Sequence, residues 1–460
     1  MAAANGSTES LVHLYLTECV DDPEGRLAHL GSSLRLPPTY EASYGKLLLG
    51  RPLLLESRVA EKLGEDLRKI FELLAELPGR LFDADLDRYF RALGMDPGIA
   101  AIIARSATGR LVTYGRADLY HDGTTFRLLE LNIGSQMGGV DNAQMNRAML
   151  GIPVFASFAR RHRLDHVDTA EHLVTMLRAE AARVGAGPDP VIALVEGRDA
   201  LVEHDHVFVA LREAMHRYGI ELRLAEIQQL TFDDGKAVLD DTPVDVVLRF
   251  FISEQLLGDD EALAILDQLV LADSANRTAM FTSLDGGLFD TKGVLGLLHE
   301  HRDLVCESVA ERQLVERMVP WTRIVGRDLN GRPRPREFRQ HCIHNRQSLI
   351  IKRGVGDGGK GALLGSECTA QEWELALDLA ADDDHIVQEI VSPVAEPVLN
   401  PATGEIEDWH ANWGVFVTDV GYAGAFVRAL RPDHGSVISY SNSETRGAAV
   451  FTYDSDLGVR

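Results

Sequence analysis

The stretch GRADLYHDGTTFRLLELN, residues 115–132, is the most informative part of this 460-residue sequence. It covers most of two β-rich runs, residues 111–120 and 125–132, which are separated by a polar segment at 121–124. A polar, glycine-containing segment between two such runs is typical of a β-hairpin turn. The hairpin is therefore the first element that we predict, and its polar residues are of types that bind metal ions or phosphate.

The loop length of this hairpin decides which side chains meet. Side chains alternate along a strand, so Arg116 shares a face with Asp118, and Glu130 shares a face with Asn132. A three-residue loop with Gly123 left-handed places all four side chains on one side, whereas a two-residue loop separates them. The sequence leaves both alternatives open.

If the four side chains converge, they form a site for a hard cation beside a positive charge. Asp118, Glu130 and Asn132 offer carboxylate and amide oxygens, which Mg²⁺ prefers, with water and nucleotide phosphate completing its coordination. Arg116 would hold a transferring phosphoryl group or an acyl-phosphate oxygen. Taken alone, the same residues also describe a solvated strand face.

A second informative stretch is SLIIKRGVGDGGKG, residues 348–361, in which glycines follow a predicted strand. Read as G-x-x-x-x-G-K, it departs from a P-loop because Gly361 stands where a Ser or Thr should bind the metal. Read as G-x-G-x-x-G, it departs from a dinucleotide fingerprint because a strand, not a helix, is predicted next. We interpret residues 354–361 as a flap whose backbone N–H groups fold over phosphates, the alternative being a surface hairpin.

Two lysines and a short polar strand accompany the flap. Lys352 ends the preceding strand and is placed to reach the same phosphates. Lys292 lies at the start of a predicted helix, where a solvated lysine is the alternative. Gln388 and Glu389 lie within a strand at 385–391 that looks like the hinge against which adenine stacks. Together these elements predict a nucleotide site.

The remaining pattern predicts a multidomain protein of mixed α/β and α+β class. Residues 1–184 form an N-terminal helical region plus the hairpin. Residues 185–275 alternate strands with helices, which predicts a small Rossmann-like parallel sheet. Residues 276–460 form an antiparallel-rich nucleotide-binding unit, with strands at 348–352, 362–364 and 385–391, further strands within 412–429, and a helix over 370–381.

Composition narrows the functional class. With 45% hydrophobic and 25% charged residues the chain resembles an ordinary soluble protein, and we find neither an apolar run that spans a membrane nor a signal peptide. The four cysteines are widely separated, which argues against disulfides and a zinc site and favours the cytoplasm. A formal charge of −24 repels polyanions, so nucleic acid is not an expected partner.

The order and spacing of the motifs resemble the ATP-grasp superfamily, in the circularly permuted branch that includes glutathionylspermidine synthetase. In ordinary members the acidic metal motif follows the lysines, flap and hinge, whereas here it precedes them. The family pattern of Arg, Asp two residues on, and Glu-x-Asn twelve residues beyond the Asp is similar to the residues at 116, 118, 130 and 132. The resemblance covers roughly residues 110–135 and 285–450.

The resemblance implies an ATP- and Mg²⁺-dependent ligase that joins a carboxylate to an amine through an acyl phosphate. It implies Asp118, Glu130 and Asn132 as metal ligands and Arg116 as a catalytic residue. The residues that it assigns to ATP are Lys292, Lys352, Gly356, Gly358, Gly359, Lys360, Gln388 and Glu389. Arg428, Arg431 and Asn442 are candidates for a phosphate or substrate site, although single basic residues more often form salt bridges.

The sequence is also compatible with other functions of a nucleotide site. The acceptor is an amine of an amino acid, peptide or polyamine, or else a carrier-protein thiol loaded through the same acyl phosphate. A small-molecule kinase would stop after phosphorylating a hydroxyl group, and a nucleotide-binding module would not turn over. The acid and amine substrates are not identified by any motif in the sequence.

Overall fold

The fold is described from a computed structural model, which describes residues 10–22, 25–45, 47–203, 205–356, 361–381 and 384–454. In this part of the chain the secondary structure forms several separate sheets with helices packed around them. The mixed α/β, multidomain character predicted from the sequence is confirmed. The predicted domain boundaries stay predictions.

The N-terminal region is mainly helical, as the sequence analysis expected. Its elements are α1 (Leu11–Asp21), α2 (Leu30–Ser33), α3 (Pro38–Tyr44), β1 (Leu53–Glu56), α4 (Ser57–Ala75), α5 (Leu77–Phe82), α6 (Leu86–Leu93) and α7 (Pro97–Ser106). Helix α4 buries Leu63, Leu67, Ile70 and Leu74, whose spacing of three and four residues places them on one face. Strand β1 was not predicted from the sequence.

The hairpin residues belong to the largest sheet. The next elements along the chain are β2 (Tyr114–His121), β3 (Phe126–Ile133), α8 (Ala143–Leu150), α9 (Pro153–Arg161) and α10 (Thr169–Arg183). Strands β2 and β3 pair antiparallel, and β2 also pairs with a strand from the C-terminal part of the chain. The acidic side chains of the hairpin are therefore fixed in a sheet instead of an isolated ribbon.

A small parallel sheet follows. Its region contains β4 (Ile192–Glu196), α11 (Ala200–Glu203), α12 (Asp205–His216), β5 (Leu222–Glu226), β6 (Thr231–Asp233), β7 (Lys236–Leu239), β8 (Thr242–Pro243), β9 (Val246–Arg249), α13 (Asp260–Ser274) and β10 (Ala279–Phe281). The parallel sheet has the order β10-β9-β4-β5, and β4 and β9 are buried along their whole length, as expected for strands covered on both faces. Strands β6, β7 and β8 form a separate antiparallel sheet.

The C-terminal part is rich in antiparallel strands. It contains α14 (Gly293–Glu300), α15 (Arg302–Val305), α16 (Val309–Met318), β11 (Thr322–Ile324), α17 (Arg336–His344), β12 (Leu349–Arg353), β13 (Leu363–Leu364), α18 (Ala370–Ala380), β14 (His385–Glu389), β15 (Ala395–Leu399), β16 (Ile406–Thr418), β17 (Gly421–Leu430), β18 (Arg446–Ala448) and β19 (Val450–Tyr453). One antiparallel sheet has the order β11-β14-β12-β13. The large sheet has the order β18-β17-β16-β2-β3, with β15 beside β16.

Long-range pairing joins the N-terminal region to the last described strand. Strand β1 lies parallel to β19, with Leu53 opposite Val450. One apolar core contains residues of α4–α6, the large sheet and α14–α16, so the N-terminal helices and the C-terminal part share buried surface. The walls of the candidate site are held together by this shared core.

Candidate functional site

A β-bulge places the polar residues of the hairpin on one face. Asp118 is the Cα partner of Glu130, and Arg116 is the partner of Asn132. The predicted loop lengths were both wrong, because the strands end at His121 and Phe126 and leave four residues between them. With four loop residues alone, Asp118 would face residue 129. Residue 129 is instead an extra residue in β3, and it shifts the register so that Glu130 faces Asp118.

Asp118 is held between two arginines. Arg428 Nη2 donates to Asp118 Oδ2 at 2.7 Å, and Arg116 Nε donates to Oδ1 at 3.1 Å. Burial alone would raise the pKa of Asp118, but Arg428 and Arg116 together lower it to about 2. Gly414 is the Cα partner of Asp118, and a Cβ there would lie 3.1 Å from Arg116 Cδ. Glycine at this position therefore leaves room for the Arg116 side chain to cross the sheet.

Glu130 meets Lys292 across the site. Lys292 directly precedes α14, and its Nζ donates to Glu130 Oε1 at 2.9 Å. The same Nζ donates to the carbonyl of Gly356 at 3.2 Å, and the Lys292 backbone N–H donates to the carbonyl of Gly354 at 2.9 Å. One lysine thus connects the acidic hairpin with the first residues of the glycine-rich segment.

A cavity of about 140 Å³ lies between the large sheet and the antiparallel sheet. Its charged and amide lining includes Asp118, Glu130, Lys292, Lys352, Asn412 and Arg428. Its apolar lining includes Tyr120, Leu129, Ile350, Leu364, Ile390 and Ile438. An apolar chamber with a few convergent charged groups is typical of a small-molecule site.

Lys352 and Gln388 lie on the cavity wall and contact each other. Lys352 Nζ donates to Gln388 Oε1 at 2.7 Å. Burial lowers the pKa of Lys352 to about 8, against the opposing effect of Glu130. The side chain of Gln388 is fully buried, whereas Glu389 is exposed and its backbone N–H donates to the carbonyl of Trp321. The assignment of both residues to ATP stays a prediction.

A second cavity, of about 1050 Å³, adjoins the first. Arg353 and Gly356 line both cavities, and Arg116 and Asn132 line the larger one. Glu196 and Arg249, the last residues of β4 and β9, also line it. Strand order reverses between β4 and β9, and the carboxyl ends of parallel strands at such a point commonly bind ligands.

Arg249 is a buried cation in this larger cavity. Its guanidinium donates to the carbonyls of Thr282 and Phe251 at 2.7 and 2.5 Å and to Gln136 Oε1 at 2.9 Å. Burial lowers the pKa of Arg249 to about 10, and carboxylates near it, including Glu196, act in the opposite direction. Neither Arg249 nor Glu196 was predicted as a site residue, because their convergence depends on the pairing of β4 with β9.

Some predicted residues are not brought into the site. Of the described residues that line the two cavities, none is Arg431 or Asn442. Arg431 pairs with Glu407 and Asp433, and Asn442 donates to the carbonyl of His434. Both are engaged in local contacts, in keeping with the salt-bridge alternative for Arg431. Gly358, Gly359 and Lys360 lie outside the described residues.

Asn412 is a site residue that the sequence analysis missed. It is the Cα partner of Arg428, is 8% exposed, and its Oδ1 has no hydrogen-bond partner among the residues that the structure describes. An unsatisfied buried carbonyl is costly, so a ligand donor at this position would stabilise it. No local sequence signal marks Asn412, because its importance depends on the neighbouring strands.

The donor set fits Mg²⁺ only in combination with phosphate. Within the described ranges, no group of three or more His, Cys, Asp or Glu side chains is arranged to hold a metal ion. Both Asp118 oxygens accept from arginines. Glu130 has a second carboxylate oxygen besides the one that accepts from Lys292, and Asn132 uses its amide nitrogen, not its oxygen, in the bond to the Arg116 carbonyl. Because Mg²⁺ is commonly held by one or two carboxylates plus nucleotide phosphates, Glu130 and Asn132 suit it as direct ligands and Asp118 as a nearby charge.

The chain was compared with known protein families, sequences and structures. No protein-family model matches the chain. Over 291 residues, 61% of this chain, the sequence is 25% identical to an uncharacterised protein of Mycobacterium leprae, of which the match covers 46%. The chain thus spans about half the length of that curated relative.

A solved structure has a similar overall fold. It is a glutathione synthetase-like effector from Globodera pallida in its apo form, with a TM-score of 0.56 and 12% identity over 98% of this chain and 100% of that one. At this identity the likeness concerns the fold. The protein therefore has a mixed α/β multidomain fold similar to that of a glutathione synthetase-like protein. In the described part of the chain, no helix is long and apolar enough to cross a membrane.

Proposed function

We propose that this protein is a cytoplasmic ATP- and Mg²⁺-dependent carboxylate–amine ligase of the circularly permuted ATP-grasp type. It forms an amide or peptide bond through an acyl phosphate and releases ADP and phosphate. The observation that carries the proposal is the contact between Lys292 and Glu130, which are 162 residues apart, at the wall of a cavity that Lys352 and Asp118 also line. Carboxylates facing lysines across a cavity suit a polyphosphate and its cation.

The small cavity is the proposed site for the nucleoside and its first phosphates. Lys292 and Lys352 bind phosphate oxygens, and Glu389, the exposed last residue of β14, lies beside the base. Glu130 and Asn132 hold Mg²⁺ with the phosphates, and Asp118 adds negative charge nearby. The magnesium ion neutralises phosphate charge when bound, while the flap at residues 354–361 covers the phosphates and excludes water.

The larger cavity is the proposed site for the acid and the amine. A substrate carboxylate oxygen attacks the γ-phosphorus of ATP, ADP leaves, and an acyl phosphate remains. The amine then attacks the acyl carbon, loses a proton, and phosphate leaves. Arg116 lines this cavity next to the acidic cluster, so it is our candidate for stabilising negative charge on the acyl phosphate.

The lining of the larger cavity favours small zwitterionic or cationic substrates. The cation of Arg249 lies among carboxylates that include Glu196 and Glu254. An amino acid or peptide offers groups complementary to both signs of charge, and a polyamine offers ammonium groups to the carboxylates. A cavity of about 1050 Å³ beside the nucleotide chamber also favours a ligase over a nucleotide-binding module.

The proposal is tested by ADP release in the presence of ATP, Mg²⁺ and pairs drawn from a panel of amino acids, peptides and polyamines. We expect Glu130→Ala to abolish turnover, whereas Glu405→Ala, at an exposed position, retains it. Undiminished turnover of Glu130→Ala would remove the metal assignment. No ADP with any pair would favour the nucleotide-binding module.

Isotope transfer distinguishes the ligase from a kinase. With a substrate labelled by ¹⁸O in its carboxylate, label appears in the released phosphate only if an acyl phosphate forms. Label in phosphate together with a thioester on an added carrier protein, and no amide, would instead support carrier loading. ADP release with a stable phosphorylated alcohol and no released phosphate would support the kinase.

A further inference from the structure

Gln388 lies at the centre of the antiparallel sheet. Its Cα partners are Thr322 of β11 and Ile350 of β12. Residues opposite each other in a sheet share a face, and Lys352 lies two residues beyond Ile350 on that same face. Gln388 and Thr322 are both 0% exposed, and Gln388 also lines the small cavity.

A chain of hydrogen bonds connects these side chains. Thr322 Oγ1 donates to the carbonyl of Pro320 at 2.8 Å. Gln388 Nε2 donates to Thr322 Oγ1 at 3.0 Å, and Lys352 Nζ donates to Gln388 Oε1 at 2.7 Å. Every link is short enough to be a well-formed hydrogen bond.

The bond from Thr322 to Pro320 fixes which group donates and which accepts in the other two hydrogen bonds. A hydroxyl group carries one proton, and that of Thr322 is given to the carbonyl of Pro320. Thr322 Oγ1 is therefore left as an acceptor, which requires the NH₂ group of Gln388 to face it. The amide oxygen of Gln388 must then face Lys352.

We infer that Gln388, oriented by Thr322, is a positioning residue that holds the Lys352 ammonium at the cavity wall in the place where it binds nucleotide phosphate. The inference rests on the proposed function, because it requires a nucleotide in the small cavity. One of the three ammonium protons is used by Gln388, which leaves two for phosphate oxygens.

The chemistry of the amide suits this task. A carboxylate at position 388 would also hold the lysine, but it would cancel the positive charge that attracts phosphate. The neutral amide fixes the position of Lys352 and leaves its charge available. Burial lowers the pKa of Lys352 to about 8, so an acceptor that stabilises the ammonium form helps to keep it protonated near neutral pH.

A double-mutant cycle tests whether Gln388 acts through Lys352. The measured quantity is the affinity of the full chain for adenylyl imidodiphosphate with Mg²⁺, by calorimetry, in wild type, Gln388→Met, Lys352→Met and the double variant. We expect Gln388→Met to weaken binding roughly tenfold, the order of one hydrogen bond to a charged group. In the Lys352→Met background the same change should alter the affinity by less than about twofold.

Thr322→Val supplies an independent variant with a smaller change in shape. It removes the hydroxyl group that orients the amide, so it should also weaken binding, and only when Lys352 is present. Thr418→Val is the matched control, since Thr418 is 1% exposed in a strand and is not among the described residues that line either cavity.

The outcomes separate this inference from the proposed function. Equal weakening by Gln388→Met with and without Lys352 would overturn the inference, because a purely structural role does not depend on the lysine. Unchanged affinity in Gln388→Met would also overturn it. Failure of the wild-type protein to bind the nucleotide, or full affinity in Lys352→Met, would contradict the proposed nucleotide site itself.

Discussion

Lys292 Nζ lies 2.9 Å from Glu130 Oε1 and 3.2 Å from the carbonyl oxygen of Gly356. The lysine therefore binds one oxygen of the carboxylate that our proposal assigns to Mg²⁺, and it also contacts the first part of the flap. Phosphate oxygens arriving at Lys292 would compete with both contacts. We expect nucleotide and metal binding to be coupled through this ion pair.

Lys292→Met should have opposite effects on metal and nucleotide. Glu130 loses its cationic partner, so Mn²⁺ alone should bind more tightly, while adenylyl imidodiphosphate should bind at least roughly tenfold more weakly. Paramagnetic resonance measures Mn²⁺ binding, and calorimetry measures the nucleotide. Lys236→Met, which breaks the ion pair with Asp245, is the control and should change neither. Weaker Mn²⁺ binding in Lys292→Met would refute the coupling.

Asp118→Asn should destabilise the fold. The change leaves the buried side chain of Arg428 without its carboxylate, and losing one partner of a buried ion pair costs roughly 3–5 kcal/mol of unfolding free energy. Denaturant unfolding measures the loss. Asp267→Asn removes the partner of Arg105 in an exposed, solvent-screened pair and should cost far less. Equal costs for the two variants would show that Asp118 is not held as described.

The stability of the wild-type protein should fall in acid partly through Asp118. Burial opposes ionisation of Asp118, but Arg428 and Arg116 lower its pKa to about 2, below its value in the unfolded chain. A lowered folded-state pKa stabilises the fold above about pH 4, and this contribution is lost as the pH falls toward about 2. It amounts to roughly 2 kcal/mol. In denaturant unfolding, Asp118→Asn should not show this loss of stability between about pH 4 and pH 2. An identical dependence of unfolding free energy on acid pH in both proteins would contradict the low pKa of Asp118.

Nucleotide affinity should decline as the pH rises through about 8. Burial lowers the pKa of Lys352 to about that value, with Glu130 and Asp118 raising it and Lys292 lowering it. The neutral amine formed at higher pH no longer attracts phosphate, so the dissociation constant should increase. Lys352→Arg should keep its affinity to higher pH, because a guanidinium stays charged. The same alkaline decline in Lys352→Met would exclude Lys352 as its source.

Gly354→Ala should distort the start of the flap. Gly354 N–H donates to the carbonyl of Asp384 at 2.6 Å, and a Cβ at Gly354 would lie 2.4 Å from that oxygen and 2.9 Å from Thr291 Oγ1. The segment must shift, and its bond to the Lys292 backbone shifts with it, so nucleotide affinity should fall roughly tenfold. Gly187→Ala is the control, since a Cβ there meets nothing within 4 Å. Calorimetry compares the two, and equal affinities would count against our account of the flap.

Local patterns in the sequence predicted much of the fold. Polar segments between β-rich runs indicated the hairpin, and the alternation of strands and helices indicated the parallel sheet with β4, β5 and β9. These features depend on residues close together in the chain. Strand β1 was missed because it pairs with β19, the last described strand, and nothing local to Leu53–Glu56 indicates that distant partner.

In the candidate site, too, the features that were not predicted depend on residues far apart in the chain or on irregular pairing. The extra residue 129 in β3 decides that Glu130 faces Asp118, yet a bulge has no marker in the stretch 125–132. Gln388 was assigned to adenine because its strand looked like a hinge, and its contact with Thr322, 66 residues away, was not predictable from spacing. Asn412 and Arg249 depend in the same way on neighbouring strands.

The most direct test of the central claim is a crystal structure of the protein with Mn²⁺ and adenylyl imidodiphosphate, examined by anomalous scattering from manganese. Our account predicts a manganese peak beside the Glu130 carboxylate, with phosphate oxygens between the metal and the ammonium groups of Lys292 and Lys352. A nucleotide bound elsewhere, or manganese remote from Glu130, would contradict it.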